Sequence, residues 1–337
     1  MRAFVIDGPR RASVADVEAP RPGTGEVVVD VARVGLCGTD AEFYSGEMAY
    51  LHEGHARYPI RIGHEWSGTV IAAGEGVDPS WAGRRVTGDT MIGCGQCARC
   101  RSGRHNVCED RREIGIRGGM SGAMAEQLVV PATALLALPD AVDDTAGALV
   151  EPGGNAVRAI RAAALEPRQR LLILGTGTIG LLAGLIGRAR GLDVHFAGRS
   201  DGSIAFAASL GFAGVGSVDE IPDLAWDAVI DASTGAALPA FAVDLVEPGR
   251  RVVFIGLSET PSLVDSRALV FKDVTAVGIL SASAGLAETI ALYATGEVDP
   301  RPLVAATVGL DQAGEVLAGR RPAGAGPGPK ILVDPHL

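Results

Sequence analysis

Nothing in this 337-residue chain stays apolar for long enough to cross a bilayer. The longest uncharged run, Leu171 to Gly187, falls short of the ~20 residues a membrane helix needs and carries five glycines, so a buried strand, turn and helix account for it better. Positive charge is also in short supply. Thirty lysines and arginines against forty acidic residues give a net charge of −10, and that field repels polyanions, which argues against a nucleic-acid partner. The composition of a disordered chain is absent too, since 47% of residues are hydrophobic and 21% charged. No charged start followed by an apolar stretch opens the amino terminus, MRAFVIDGPRRASV, so no secretory signal is expected and the expected compartment is cytoplasmic. No internal repeat of the solenoid kind is found. Glycine, by contrast, is abundant at 46 residues, about twice the usual share, as folds with tight turns and close backbone approaches require.

Cysteine is scarce, yet four of the five, Cys94, Cys97, Cys100 and Cys108, fall within GCGQCARCRSGRHNVC. In a reducing compartment thiols so crowded read as metal ligands rather than disulfides. Four thiolates at about 2.3 Å complete the tetrahedral shell of a structural zinc. An iron–sulfur run would place the fourth cysteine sooner and follow it with proline; here seven residues intervene and Glu109 follows Cys108. A nucleic-acid zinc ribbon, suggested by Arg99, Arg101, Arg104, Arg111 and Arg112, pairs two knuckles across a longer gap and sits badly in an acidic chain.

The fifth cysteine, Cys37, sits in VGLCGTD just after the alternating stretch EVVVDVARV, which predicts a strand closing in a glycine-flanked turn. Alone it would be a small buried hydrophobe. His64 and Glu65 in GHEWSG and Glu151 in LVEPGG add an imidazole and two carboxylates, the mixed donor set of a catalytic zinc with one exchangeable position.

Residues 170–200 predict an apolar strand, a turn with Gly175, Gly177 and Gly180 in GxGxxG spacing, an apolar helix and a second strand. In that setting the glycines permit the turn and the approach of a dinucleotide pyrophosphate. The helix start, with Thr178 and Ile179, offers unpaired N–H groups to the anion. The second strand ends Ala197-Gly198-Arg199-Ser200, without the carboxylate that would bond the ribose of NAD. Arg199 and Ser200 suit a 2′-phosphate, so NADP is favoured over NAD, with Asp201 as the alternative ribose acceptor. Further strands are predicted at DAVIDAS and RVVFIGL, alternating with helical stretches as a parallel sheet requires.

Taken in order, GLCGTD, GHEWSG, the four-cysteine lobe and GTGTIG resemble the zinc-dependent medium-chain dehydrogenase family, above all its polyol, sugar and cyclitol branch, over nearly the whole chain. GHEWSGTV and the CED that closes the lobe are similar to the aminocyclitol dehydrogenases. The resemblance implies an α/β protein: a GroES-like irregular β catalytic domain over 1–152, a Rossmann doubly wound parallel sheet over 153–288, and a return to the catalytic domain over 289–337. It implies two zinc ions per chain, a structural one on the four lobe cysteines and a catalytic one on Cys37, His64 and either Glu65 or Glu151. Asp40 would orient His64. Thr39 would relay the proton or else cap backbone, with Glu65 acting through a bound water as the alternative acceptor. Lys330, opening the last strand KILVDP, would reach the pyrophosphate or lie solvated at the strand edge. The implied reaction is hydride transfer between a small secondary alcohol and NADP or NAD, in a homodimer or homotetramer with no nucleic-acid or membrane partner.

Some residues depart from the family pattern. Pro152 is followed by Gly153, Gly154 and Asn155, which implies extra room or a polar amide near the metal, and Ile62 stands where proline is usual. The loop SGEMAYLHEGHARYPIRI, with Tyr50, His52, Glu53 and His55, is expected either to line a pocket for a hydroxylated or amino-bearing ring, Tyr44 donating to a hydroxyl, or to be a solvated surface loop. Two rivals fit the motifs less well. A zinc-free quinone or enoyl reductase of this fold needs neither the Cys37, His64, Glu151 set nor the lobe, and a non-catalytic nucleotide-binding protein need not keep the ligands.

Overall fold

Val27, Val28, Val29, Val31 and Val34 are buried along the strand Glu26–Gly35, and this β-branched run is the spine of a seven-stranded sheet. The computed structural model describes residues 1–212 and 214–337. The spine pairs antiparallel with Glu65–Ala73, with Gln127–Pro131 and, at one end, with the last strand Lys330–Asp334. Leu332 lies opposite Gly35 and Val333 opposite Val34, so the end of the chain comes to lie beside Leu36 and Cys37. Val304–Gly309 joins the same sheet, parallel to the last strand. The Pro/Gly segment between them is a packed loop: Gly326 N–H donates to the carbonyl of Ala305 at 2.9 Å, and Arg321 donates to that of Gly328 at 2.8 Å.

The second sheet has six parallel strands in the order 214–217, 193–198, 170–174, 226–231, 246–254 and 275–278. The strand order reverses beside Arg170–Leu174, and a crevice opens there at the carboxyl ends of the strands, where ligands of such sheets bind. The helix Thr178–Ala189 is buried from Gly180 to Gly187 because it is covered by the helix Val150–Ala163 as well as by the sheet.

Residue 152 falls inside the helix Val150–Ala163, whose first turn reaches the other half of the molecule. Helix Leu286–Ala294 packs on that same helix, so the nucleotide half continues past residue 288. Glycine makes this packing possible. A Cβ on Gly153 would stand 2.4 Å from the Tyr293 hydroxyl, and one on Gly154 would stand 2.8 Å from the Ala282 Cβ. Gly153 and Gly154 therefore provide helix contact and not room beside a metal.

Candidate active site

The cysteine lobe closes on itself. Its four sulfurs lie within 4.8 Å of one another, with Cys94 to Cys100 at 3.9 Å and Cys97 to Cys108 at 3.8 Å. A tetrahedral zinc with bonds of ~2.3 Å has S···S edges of about 3.8 Å, and no disulfide spans such a distance. The backbone N–H groups of Cys97, Cys100 and Cys94 point at the sulfurs of Cys94, Cys97 and Cys108, each at 3.4 Å. Backbone donors from Gln96 and Cys97 lower the Cys94 thiol to about 7. The donor set fits a closed zinc site.

A second group forms where the two sheets meet. Cys37 caps the helix Gly38–Ser45, and His64 and Glu65 lead into the strand Glu65–Ala73. One donor atom from each lies within 4.8 Å of the others, and Cys37 Sγ is 3.4 Å from His64 Nε2. A sulfur and an imidazole nitrogen sharing one tetrahedral zinc are about 3.5 Å apart. Gly35 lies opposite Glu65, and a Cβ there would stand 2.1 Å from its Oε2, so this glycine leaves space for the carboxylate. Asp40 accepts from the Cys37 N–H at 3.0 Å and from the Gly63 N–H at 3.3 Å. Its Oδ1 faces His64 Nδ1 at 3.8 Å, a buried nitrogen with no hydrogen-bond partner among the described residues. Glu151 lines the same cleft, and its carboxylate accepts from Asn155 Nδ2 at 3.0 Å.

Burial dominates the electrostatics of the cluster. Burial, then Asp40, pushes the Cys37 thiol up, and burial raises Glu151 to about 7. Burial opposes charge on His64, but Cys37 and Asp40 outweigh it and hold the imidazole well above its usual range. A divalent cation among these donors would favour the ionised thiol and carboxylate that burial disfavours.

Lys330 differs from both expectations. It is buried, and its ammonium donates to both oxygens of Glu65, at 2.6 and 2.9 Å, and to the Leu36 carbonyl at 2.9 Å. It is therefore committed to the donor cluster, neither free for a pyrophosphate nor solvated. Tyr44 is also displaced: it packs on the apolar core and does not line the cleft, whereas Thr39 and Glu42, three residues apart on the same helix, do. The Thr39 hydroxyl makes no intrachain hydrogen bond among the described residues. His52, Glu53 and His55 are exposed and off the cleft wall, leaving Tyr50 as the one residue of the four in it. Tyr50 donates to Glu113 at 3.3 Å and accepts from Arg111 at 2.9 Å, while Arg111 Nε donates to Glu113 at 2.8 Å.

Across this cleft of about 570 Å³ stand Gly177, Thr178 and Ile179, with Ala232, Ser233, Thr234 and Ile279 to Ser281. Gly175 has φ 110°, and a Cβ there would press on the Ala232 carbonyl at 2.8 Å. A Cβ on Gly180 would meet the Gly175 carbonyl at 2.2 Å, whereas one on Gly177 would meet nothing within 4 Å. Two glycines shape the turn and the third leaves open approach, which fits a dinucleotide phosphate. At the end of the next strand Gly198 packs on Ile204, Arg199 is exposed and without a salt bridge among the described residues, and Ser200 caps the helix Asp201–Ser209.

The fold and cleft define a nicotinamide-dependent oxidoreductase. The family described as alcohol dehydrogenase GroES-like domain matches residues 23–140. The 2-dehydro-3-deoxy-L-galactonate 5-dehydrogenase of Pseudoalteromonas atlantica is 31% identical over 325 residues, 92% of each chain. The starvation-sensing protein RspB of Escherichia coli is 30% identical over 285 residues, 82% of each chain. Among solved structures, an E. coli alcohol dehydrogenase complexed with NADH aligns with a TM-score of 0.90 at 27% identity, covering 99% of both chains. A Sinorhizobium meliloti protein assigned as a zinc-binding dehydrogenase and bound to NADP gives 0.89 at 27% identity and the same coverage. The chain belongs to the zinc-dependent medium-chain dehydrogenase family, as one of its NAD(P)-dependent alcohol and polyol dehydrogenases.

Proposed function

We propose that this enzyme interconverts a secondary alcohol of the polyol, sugar or aminocyclitol type and its ketone at a zinc held by Cys37, His64 and Glu65, with NADP preferred over NAD. The observation that carries the reading is the convergence of these three donors on one cleft wall, facing Gly177, Thr178 and Ile179. When bound, zinc supplies Lewis acidity toward the alcohol or ketone oxygen, and the nicotinamide supplies the hydride acceptor or donor.

The chain's own residues do the rest. Asp40 fixes the Cys37 turn and faces His64 Nδ1, which turns Nε2 toward Cys37. Lys330 offsets the charge of Glu65 and holds both its oxygens. Glu151, tethered by Asn155, is the alternative carboxylate donor. Thr39, in the cleft with its hydroxyl unspent, receives the alcohol proton.

Cys94, Cys97, Cys100 and Cys108 hold a second zinc, giving two per chain. Arg199 and Ser200 receive the 2′-phosphate of NADP. Five cysteines, none of them in a disulfide among the described residues, suit the cytoplasm. A homodimer or homotetramer is supported by the edge strand Thr275–Gly278 and by the exposed Leu257, Leu263, Val270 and Phe271. No helix is long and apolar enough to cross a membrane among the described residues. The test is a panel of polyols, sugars, cyclitols and aminocyclitols with each nucleotide on zinc-loaded enzyme. Turnover of a secondary alcohol, with higher kcat/KM for NADP, is expected; no turnover across the panel, or enone reduction that survives metal removal, overturns the reading.

A further inference from the structure

Beyond the strand Thr275–Gly278 the chain enters Ile279, Leu280 and Ser281, which stand on the cleft wall with Thr178 and Ile179. Ser281 has φ 71°, a backbone state that a non-glycine residue keeps only where its surroundings over-determine it. Part of that support is local, Ser281 Oγ lying 3.1 Å from Ser283 Oγ, and part comes from elsewhere in the chain. Arg158 donates to the carbonyls of Leu280 and Ser281. Asn106, inside the cysteine lobe, donates to the Leu280 carbonyl at 3.1 Å. Ser283 Oγ donates across the two halves of the molecule to Asp89 Oδ1 at 2.9 Å. Asp89 is held in turn by the Met91 N–H at 3.0 Å and, on its other oxygen, by His105 Nε2 of the lobe at 2.7 Å.

We propose that the cysteine lobe sets the enzyme's affinity for its nicotinamide dinucleotide, by fixing the Leu280–Ser283 turn through Asn106 and through the His105–Asp89–Ser283 chain. This rests on the reading that the dinucleotide occupies the cleft. A wall fixed in advance charges no ordering cost to the ligand, whereas a loosened wall is ordered at the ligand's expense. Asp89 and Ser283 are positioning residues: neither lines the cleft, and each acts on Ile279 to Ser281.

The test is direct titration of NADPH and of NADH, by fluorescence and without substrate, on zinc-replete wild type, Ser283→Ala, Asp89→Ala and the double variant, with zinc content and Tm measured alongside. Each single variant is expected to weaken binding about fivefold or more. Losses in the double variant should fall short of additive, because both changes remove the Ser283–Asp89 bond, although Ser283→Ala also removes the contact with Ser281 and Asp89→Ala those with Met91 and His105. Ser283→Thr should keep wild-type affinity. Affinities within twofold of wild type while Tm falls would overturn the proposal, leaving a contact that serves stability alone. Additive losses in the double variant would also overturn it. A wild-type enzyme that binds neither nucleotide overturns the cleft reading and this inference with it.

Discussion

Replacing Lys330 by methionine isolates the buried pair at the heart of the donor cluster. The Lys330 and Glu65 side chains are 2% and 4% exposed, and the ammonium makes three hydrogen bonds, two to Glu65 and one to Leu36. Lys330→Met leaves a carboxylate and a carbonyl without their partner inside the protein, at a cost of about 3–5 kcal/mol. Unfolding entropy for a chain of 337 residues is on the order of 0.7 kcal/mol per kelvin, so Tm should fall by ~4–7 °C. Calorimetry on metal-chelated protein is the assay, because zinc would itself compensate Glu65 and shrink the loss in loaded enzyme. Adding Glu65→Gln removes the stranded charge and should recover about half of the loss or more. A chelated Lys330→Met protein melting within about 1 °C of wild type would refute the reasoning. So would a double variant melting no higher than the single one.

Gly154→Ala is expected to destabilise by about 1–3 kcal/mol with zinc content unchanged, because its Cβ would press on Ala282, and urea unfolding with metal analysis checks both halves of that statement. Arg199→Ala should lower kcat/KM with NADP about tenfold or more and leave NAD turnover near wild type, as steady-state kinetics will read. The hydrogen bond to Asp89 raises the pKa of His105, so this histidine contributes stability that is fully present below its unfolded pKa and is lost as pH rises through the folded value. An NMR titration should place His105 above the usual histidine range, and Asp89→Asn should bring it down.

Local chemistry was legible where the residues that make a feature are neighbours in sequence. The lobe and the GTGTIG turn each form within a short segment, so spacing alone carries their geometry. Glu65 and Lys330 are separated by 265 positions and meet because the last strand pairs with Glu26–Gly35, a register that no local pattern announces. Tyr44 and Glu42 illustrate helical phase: two residues apart on one helix, they face different sides, and the cleft side is the one shared with Thr39. Gly153 and Gly154 were visible as departures, but their reason lies in a helix more than a hundred residues downstream. Asn155, suspected as a polar amide, tethers Glu151. Glu113 gave no signal and Arg111 stood out only as one of the lobe's arginines, since their partnership with Tyr50 exists only after the loop has folded back.

Zinc stoichiometry of wild type and Cys37→Ser, measured by plasma mass spectrometry on protein dialysed against metal-free buffer, tests the donor cluster most directly. The account predicts two zinc ions per chain in wild type and one in Cys37→Ser, with the lobe ion retained. A single zinc in wild type, or two in Cys37→Ser, would contradict it.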